Sequence, residues 1–378
     1  METTDLVVVG GGFAGLACAQ AAALRGTKTV VLERKESIGS RLHTTGILVK
    51  EAADMIDVPR QHTLKIPGVR LYGPNLKSID LYAPGYYFLA TDTAAVLRWQ
   101  ATLAEQAGAE IRCGVSFSGA TREPNGLSLS DLDLRARFLV GADGAKSRVA
   151  AAMGLPANRQ FLVGVESEWE GVEGIDPSVL HVFLDAELAP GYIGWVVPSV
   201  GFYQIGLAAH ERLSPRLEPF VQKMKKLFDF SKAKEVSKRG GLIPCGGTLR
   251  PFADNNVLLL GDAAGTVSPL TAGGIHSAVE IGRLAGITIS DHLLDAGPLP
   301  QQIIASTIPS FAIKRLIRIL FSRVQPPNWA YDMLIGSKSF RQFAQMIFFH
   351  HRGLLSAAAW KDLWHDAPAP EKTPSLLE

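Results

Sequence analysis

Residues 6–33, LVVVGGGFAGLACAQAAALRGTKTVVLE, constrain the fold more than any other stretch of this chain. Residues 6–9 are a short apolar run of the kind that makes a buried parallel strand. Gly10, Gly12 and Gly15 follow with GxGxxG spacing. The first permits a tight turn, the second lets the backbone approach a pyrophosphate, and the third lets a helix close against the strand. Phe13 and Ala14 lead into a run of strong helix formers ending near Leu24, whose first N–H groups and positive dipole end face the phosphates. A second apolar strand then ends at Glu33, at the distance where a carboxylate meets ribose hydroxyls. Strand, turn, helix, strand and acid in this order describe a dinucleotide-binding unit. A carboxylate at position 33 repels a 2′-phosphate, so the expected nucleotide is FAD or NAD rather than NADP.

A chain of 378 residues suits one elaborate domain pair rather than a string of modules. Net charge is +2, which gives no overall pull toward nucleic acid. Cys18, Cys113 and Cys245 have neither CxxC nor metal-ligand spacing, and suit a reducing compartment. No metal is expected. The N-terminal residues carry no cationic leader, so a cytoplasmic location is expected. The most apolar long stretch, 263–289, includes His276, Glu280 and Arg283 and does not read as a membrane span.

Further along, residues 93–107 read as a helix and 109–113 as a strand, and 131–149 run from a strand into the Gly141–Gly144 turn. Residues 161–209 hold four strand-like runs separated by turn residues, which predicts an antiparallel sheet. Residues 255–262 return to a buried parallel type of strand, and a helix from about Gly274 to Leu294 follows. The expected fold is α/β, a Rossmann-type nucleotide-binding domain (1–60, 90–155 and 245–300) with an inserted β-sheet domain (61–89 and 156–244). A helical C-terminal region (301–365) and a disordered tail (366–378) complete it.

Two later motifs bear on the choice of nucleotide. Gly141–Gly144 reads GADG and precedes Lys146, Ser147 and Arg148. GDAAGTVSPLTAGGI, residues 261–275, brings Asp262 to the end of a strand, where its carboxylate can bond a ribityl or ribose hydroxyl. Gly273, Gly274 and Ile275 then open a helix whose first amides present positive charge to the electron-rich edge of a flavin. With GxGxxG, these segments resemble the FAD-dependent group that includes aromatic hydroxylases such as p-hydroxybenzoate hydroxylase. GYIGWVVP (191–198), GGLIPCGGTLRP (240–251) and GDAAGTVSPLTAGGI are most similar to its geranylgeranyl reductase branch.

The resemblance implies FAD held by Gly10, Gly12, Phe13, Ala14, Gly15, Glu33, Arg34, Arg41 and Asp262, with Gly273–Ile275 at the isoalloxazine. It implies a substrate cavity roofed by the β-sheet, with Tyr192 and Trp195 near the flavin. The chain departs from the pattern in two places. Thr44-Thr45-Gly46 replaces a Cys-Gly pair, and Asp92-Thr93 replaces an Asp-Arg that contributes a flavin-contacting cation.

The chemistry implied is hydride transfer from reduced flavin to a carbon–carbon double bond of an isoprenoid or similar lipid, with NADPH or reduced ferredoxin as a transient donor. Proton donors among the residues are Tyr192 and His276, with ordered water as the third candidate. A monooxygenase acting on an aromatic or polyketide-like substrate is the alternative reading. A halogenase fits less well, because GWVVP has one Trp where halogenases carry two, and a binding or carrier flavoprotein is the reading outside enzymology. Between Phe311 and Arg352 lie seven Lys/Arg residues and one acid, Asp332. There FAIKRLIRILFSRV sets Lys314, Arg315 and Arg318 on one helical face. Such helices either lie on the inner face of a membrane or dock on the protein body.

Overall fold

The computed structural model describes residues 1–323 and 325–349 of the chain. Two compact units are formed. The first gathers Met1–Thr44, Asp92–Leu162 and Leu242–Leu320, and the second Thr45–Thr91, Val163–Gly241 and the chain from Phe321 onward.

Five parallel strands form the centre of the first unit. Their spatial order is Glu110–Cys113, Thr29–Glu33, Glu2–Val9, Leu134–Gly141 and Val257–Leu259. The chain builds outward on one side of Glu2–Val9 and then returns to its other side. That reversal leaves a crevice beyond the carboxyl ends of the central strands, where open α/β sheets bind ligands. Leu6, Val7, Val8, Val30 and Val31 are all fully buried, as strands covered on both faces require.

Helix Phe13–Ala23 is apolar around nearly its whole circumference, because it packs against both Thr93–Gln106 and Ile275–Leu293. Its long partner approaches through Gly282 and Gly286, one turn apart. A methyl group on Gly282 would lie 2.6 Å from the Ala14 carbonyl oxygen, and one on Gly286 would lie 2.3 Å from that of Cys18.

The second unit contains a seven-stranded sheet in the order Lys234–Pro244, Phe161–Glu170, Tyr203–His210, Gly194–Pro198, Val179–Phe183, Gly68–Tyr72 and Ser78–Tyr82. The four strand-like runs read from the sequence are all strands of this sheet. One pairing in it is parallel, Gly68–Tyr72 with Val179–Phe183, because a long connection rather than a hairpin leads from the first of these strands to the second. One face packs on helix Leu217–Met224 through Val196, Ile205, Leu207 and Phe220. The other meets a three-stranded sheet, Ile47–Val49, Phe88–Thr91 and Thr63–Ile66, through Val69, Leu71, Val182 and Phe88. Residues 45–60, expected with the nucleotide-binding part, sit in this unit because Ile47–Val49 pairs with Phe88–Thr91.

The region after residue 300 is helical: Pro300–Thr307, Ala312–Arg323, Asn328–Leu334 and Lys338–Phe349. The last of these docks on strand Ser78–Tyr82, where Arg341 and Gln345 donate to the carbonyls of Asp80 and Tyr82. In Ala312–Arg323, Arg318 is turned into the protein and Lys314 is half-buried, whereas Arg315, expected on the same face, is exposed. Arg318 is buried, while Leu316 and Leu320 are 68% and 61% exposed. Residues 350–365 of the expected helical region, and the tail 366–378, lie outside the described residues. Among the described residues no helix is long and apolar enough to cross a membrane.

Candidate functional site

In the first unit the glycine-rich turn is closed by backbone bonds. Gly10 N–H donates to Leu32 and Ala142 N–H donates to Val9, so the turn is tied to both neighbouring strands. Gly10 adopts φ +110°, and a methyl group there would sit 2.3 Å from the Ala142 carbonyl oxygen. One on Gly15 would sit 2.0 Å from the Gly10 carbonyl oxygen. At Gly12 nothing lies within 4 Å of that position. The turn is therefore crowded behind Gly10 and Gly15 and open in front of Gly12. Gly12 caps helix Phe13–Ala23 without any side-chain cap, which leaves the first-turn amides of Phe13 and Ala14 directed outward.

Glu33 closes on this turn. Its Oε2 accepts from Gly11 N–H at 2.8 Å and its Oε1 from Lys35 N–H at 3.0 Å. Gly11 was not among the residues singled out from the sequence, yet it is the one the carboxylate grips. Arg34 and Arg41 are exposed beside it. Arg41 has φ +45°, and its carbonyl accepts from the Lys35 amine, whose pKa burial holds down.

The other two motifs divide their labour. Asp143 is spent on helix capping. Its carboxylate accepts from Ser147 Oγ at 2.6 Å and from the amides of Arg148 and Val149 at 2.6 and 3.1 Å, while Ser147 caps the Ala150 amide. Asp92 likewise caps Thr93–Gln106 through the Ala95 amide, so both Asp residues are structural here. Asp262 differs. It lies in the single turn Gly261–Ala264, no hydrogen bond to its carboxylate is formed among the described residues, and burial pushes its pKa up to about 6.

Asn158, also missed by sequence reasoning, ties these loops together by donating to the carbonyls of Asp262 at 2.8 Å and Ala145 at 3.1 Å. The 268–273 loop closes on itself through Ser268 N–H to the Gly273 carbonyl. Gly274 then caps Ile275–Leu293, again without a side-chain cap, and Gly273, Gly274 and Ile275 are half-buried at this helix start. Within the first turn His276 is buried, with Nδ1 3.8 Å from Glu280 Oε2. On Thr93–Gln106, which packs against the first helix, Gln100 is buried and its Oε1 has no hydrogen-bond partner among the described residues.

In the second unit Tyr192 and Trp195 are both half-buried. Trp195 anchors a polar cluster that the sequence reading did not anticipate. Its Nε1 donates to Glu166 Oε2 at 2.6 Å, and Thr45 Oγ1 donates to the same oxygen at 2.7 Å. Arg239 grips Glu166 Oε1 through Nε and Nη2 and Glu168 through Nη1 at 2.6 Å, and Ser237 donates to Glu168. The available signal was the alternation Glu166, Glu168, Glu170 at the end of a strand that begins apolar. Among the described residues no group of His, Cys, Asp and Glu is placed to hold a metal ion.

Residues 5–262 match the family described as FAD dependent oxidoreductase. A digeranylgeranylglycerophospholipid reductase 2 of Methanosphaera stadtmanae is 29% identical over 317 residues, covering 78% of this chain and 80% of that protein. The digeranylgeranylglycerophospholipid reductase of Methanocaldococcus jannaschii is 25% identical over 298 residues, 75% of this chain and 76% of that protein. Among solved structures, a geranylgeranyl bacteriochlorophyll reductase-like protein from Thermoplasma acidophilum superposes with a TM-score of 0.79 at 22% identity, covering 96% of both chains. The myxobacterial chondrochloren halogenase superposes with a TM-score of 0.67 at 16% identity, covering 93% of this chain and 92% of its own. The two superpositions establish a shared fold.

Proposed function

The chain belongs to the family of FAD dependent oxidoreductases, and from that premise we propose that it saturates carbon–carbon double bonds in the isoprenoid chains of a lipid. The observation that carries this reading is the run of relatives named digeranylgeranylglycerophospholipid reductase, which align over three quarters or more of this chain.

The residues of the first unit fit FAD. The space in front of Gly12 and the uncapped amides of Phe13 and Ala14 suit a pyrophosphate. Glu33, with Arg34 and Arg41, serves the ribose end. Asp262 has an unpartnered carboxylate and Gln100 a buried unpartnered amide oxygen, two acceptors that suit the hydroxyls of the ribityl chain. The amides of Gly273, Gly274 and Ile275, at the start of an uncapped helix, would offer donors to the edge of the ring system that gains negative charge on reduction. FAD, when bound, would supply the hydride chemistry that the reduction needs.

Saturating an alkene also needs a proton, for which Tyr192 and His276 are the candidate donors. Trp195 lines the lipid cavity. NADPH or reduced ferredoxin supplies electrons, docking transiently, since the visible nucleotide unit is assigned to FAD. The exposed Ile313, Leu316 and Leu320 of Ala312–Arg323 give the protein a surface for peripheral contact with the bilayer that holds its substrate.

The test is anaerobic incubation of the flavin-reduced protein with digeranylgeranylglycerophospholipid, followed by mass spectrometry. The expected product gains one H2 for each double bond lost. An unchanged lipid would overturn the reading, and so would a gain of oxygen in air coupled to NADPH consumption, which marks a monooxygenase.

A further inference from the structure

We propose that Glu166 is a positioning residue that acts on the substrate through Trp195. This rests on the reading that Trp195 lines the lipid cavity. A single row of side-chain positions crosses four strands of the seven-stranded sheet. Leu71 stands opposite Val182, Val182 opposite Trp195, and Trp195 opposite Gly206. The position a methyl group would occupy on Gly206 is 2.8 Å from indole carbons Cε2 and Cζ2 of Trp195 and 2.9 Å from Glu166 Cβ. The indole therefore lies across the missing side chain of Gly206 and reaches the carboxylate two strands away. Any larger residue at 206 would lift it off.

The carboxylate itself is saturated. An ionised carboxylate offers about four lone-pair sites, and here Arg239 Nε and Nη2, Trp195 Nε1 and Thr45 Oγ1 occupy them. Glu166 is 4% exposed. With no site left for a proton or a substrate hydroxyl, the group is unsuited to acid–base work. Burying an ion pair is a poor source of stability, because desolvation offsets the attraction. What the arrangement supplies is direction. A charge-assisted bond from the indole N–H to a carboxylate itself fixed by a guanidinium leaves Trp195 one orientation. Thr45 contributes a second donor to the same oxygen.

The experiment compares wild type, E166Q, W195F and the double variant E166Q/W195F, with T45V alongside. The indole N–H resonance of Trp195 is identified in 15N spectra by its loss in W195F. In E166Q we expect it to move upfield, and in T45V to move less in the same direction. Because T45V removes a donor and no charge, it carries the spectroscopic test if E166Q fails to fold. With digeranylgeranylglycerophospholipid and dithionite-reduced enzyme, kcat/KM in E166Q is expected to fall tenfold or more, mainly through KM, with no further fall in the double variant relative to W195F. An indole resonance unmoved in both variants, or single-variant effects that multiply in the double, would overturn the positioning role. A wild-type enzyme inert toward this lipid, with the resonance shift intact, would instead overturn the proposed function, so the two failures read separately.

Discussion

Gly282 meets Ala14 so closely that the position of an added methyl group lies 2.6 Å from the Ala14 carbonyl oxygen. Gly286 repeats the relationship one turn later against Cys18, at 2.3 Å. Both neighbours are helix backbone, which cannot rotate out of the way. The helix that opens the nucleotide turn and the helix capped by Gly274 are thus locked at their closest distance. Alanine at either glycine forces the two apart. Overpacking of this kind costs about 1–3 kcal/mol, more than the roughly 1 kcal/mol that alanine gains over glycine within a helix. G286A should therefore lower the denaturation midpoint and weaken FAD retention together. A stabilised G286A with unchanged flavin content would show that the crossing relaxes without strain.

Asp262 should make the flavin-free protein less stable as pH rises. Its pKa is raised by burial from 3.8 to about 6. Below about pH 4 it is protonated in both folded and unfolded chains and contributes nothing. Between 4 and 6 the folded chain holds the proton more firmly, so stability falls as pH increases, and above 6 the full cost of the buried charge is present. That cost is at most about 3 kcal/mol. Flavin-free D262N should accordingly be more stable than wild type at pH 7 and equal to it near pH 4, while binding FAD less tightly. Denaturation curves at the two pH values check the sign, and a D262N advantage that persists at pH 4 would refute it.

The opposite slope is expected from His181. Asp176 offers it a carbonyl, which only accepts, so Nε2 carries the proton and Nδ1 accepts from the Tyr72 hydroxyl at 2.9 Å. Burial, the main cause, lowers its pKa to about 4. The neutral ring's contribution is complete above the ordinary value near 6.5 and is lost as pH falls toward 4, because the unfolded chain takes up the proton first. About 3 kcal/mol is at stake. H181Q should flatten the decline of stability between pH 6.5 and 4, at some cost in stability at neutral pH. An unchanged slope would assign acid sensitivity elsewhere.

What the sequence made legible follows the range of the interactions. The turn at Gly10 was readable because its φ of +110° is a local demand that glycine meets, whereas the Ala142 carbonyl behind it was not, coming from a distant part of the chain. The four strand runs of 161–209 were readable because alternation is a property of each strand alone. The Glu166–Arg239 pair was not, since its partners lie 73 residues apart and meet only because Phe161–Glu170 is set beside Lys234–Pro244. Gly282 and Gly286 look like defects in a helix until the crossing with Phe13–Ala23 explains them. Asp143 was read correctly as part of a turn, but only the structure reveals that its carboxylate is consumed by capping. In Ala312–Arg323 the period grouped Lys314, Arg315 and Arg318, but only the structure shows that Arg318 turns inward while Arg315 stays exposed.

Asn158 offers a test of loop positioning that leaves every proposed FAD ligand in place. Its amide donates to Asp262 and Ala145, joining the turn that carries Asp262 to the loop after Leu134–Gly141. Removing two bonds to half-buried carbonyls should cost about 1–3 kcal/mol. N158A is expected to loosen FAD retention by more than its loss of stability accounts for, measured as flavin released during dialysis. N158D keeps the size but lacks the amide donor, so it should resemble N158A. Full flavin retention in both would mean that the Asp262 turn holds its shape unaided.

The outward leucines of Ala312–Arg323 separate two kinds of surface attraction. Had all three cations faced outward, binding to vesicles would depend on anionic lipid and weaken with salt. With Arg318 buried and Leu316 and Leu320 exposed beside the exposed cation Arg315, the larger part of the available energy is apolar, roughly 1.5–3 kcal/mol for each leucine fully inserted. Wild-type protein should therefore float with vesicles of phosphatidylcholine alone nearly as well as with vesicles containing phosphatidylglycerol. L316D/L320D should lose at least tenfold in partitioning with its fold and flavin content unchanged, because both side chains already stand in solvent. Binding confined to anionic vesicles, or equal partitioning by the variant, would remove this helix from the bilayer contact.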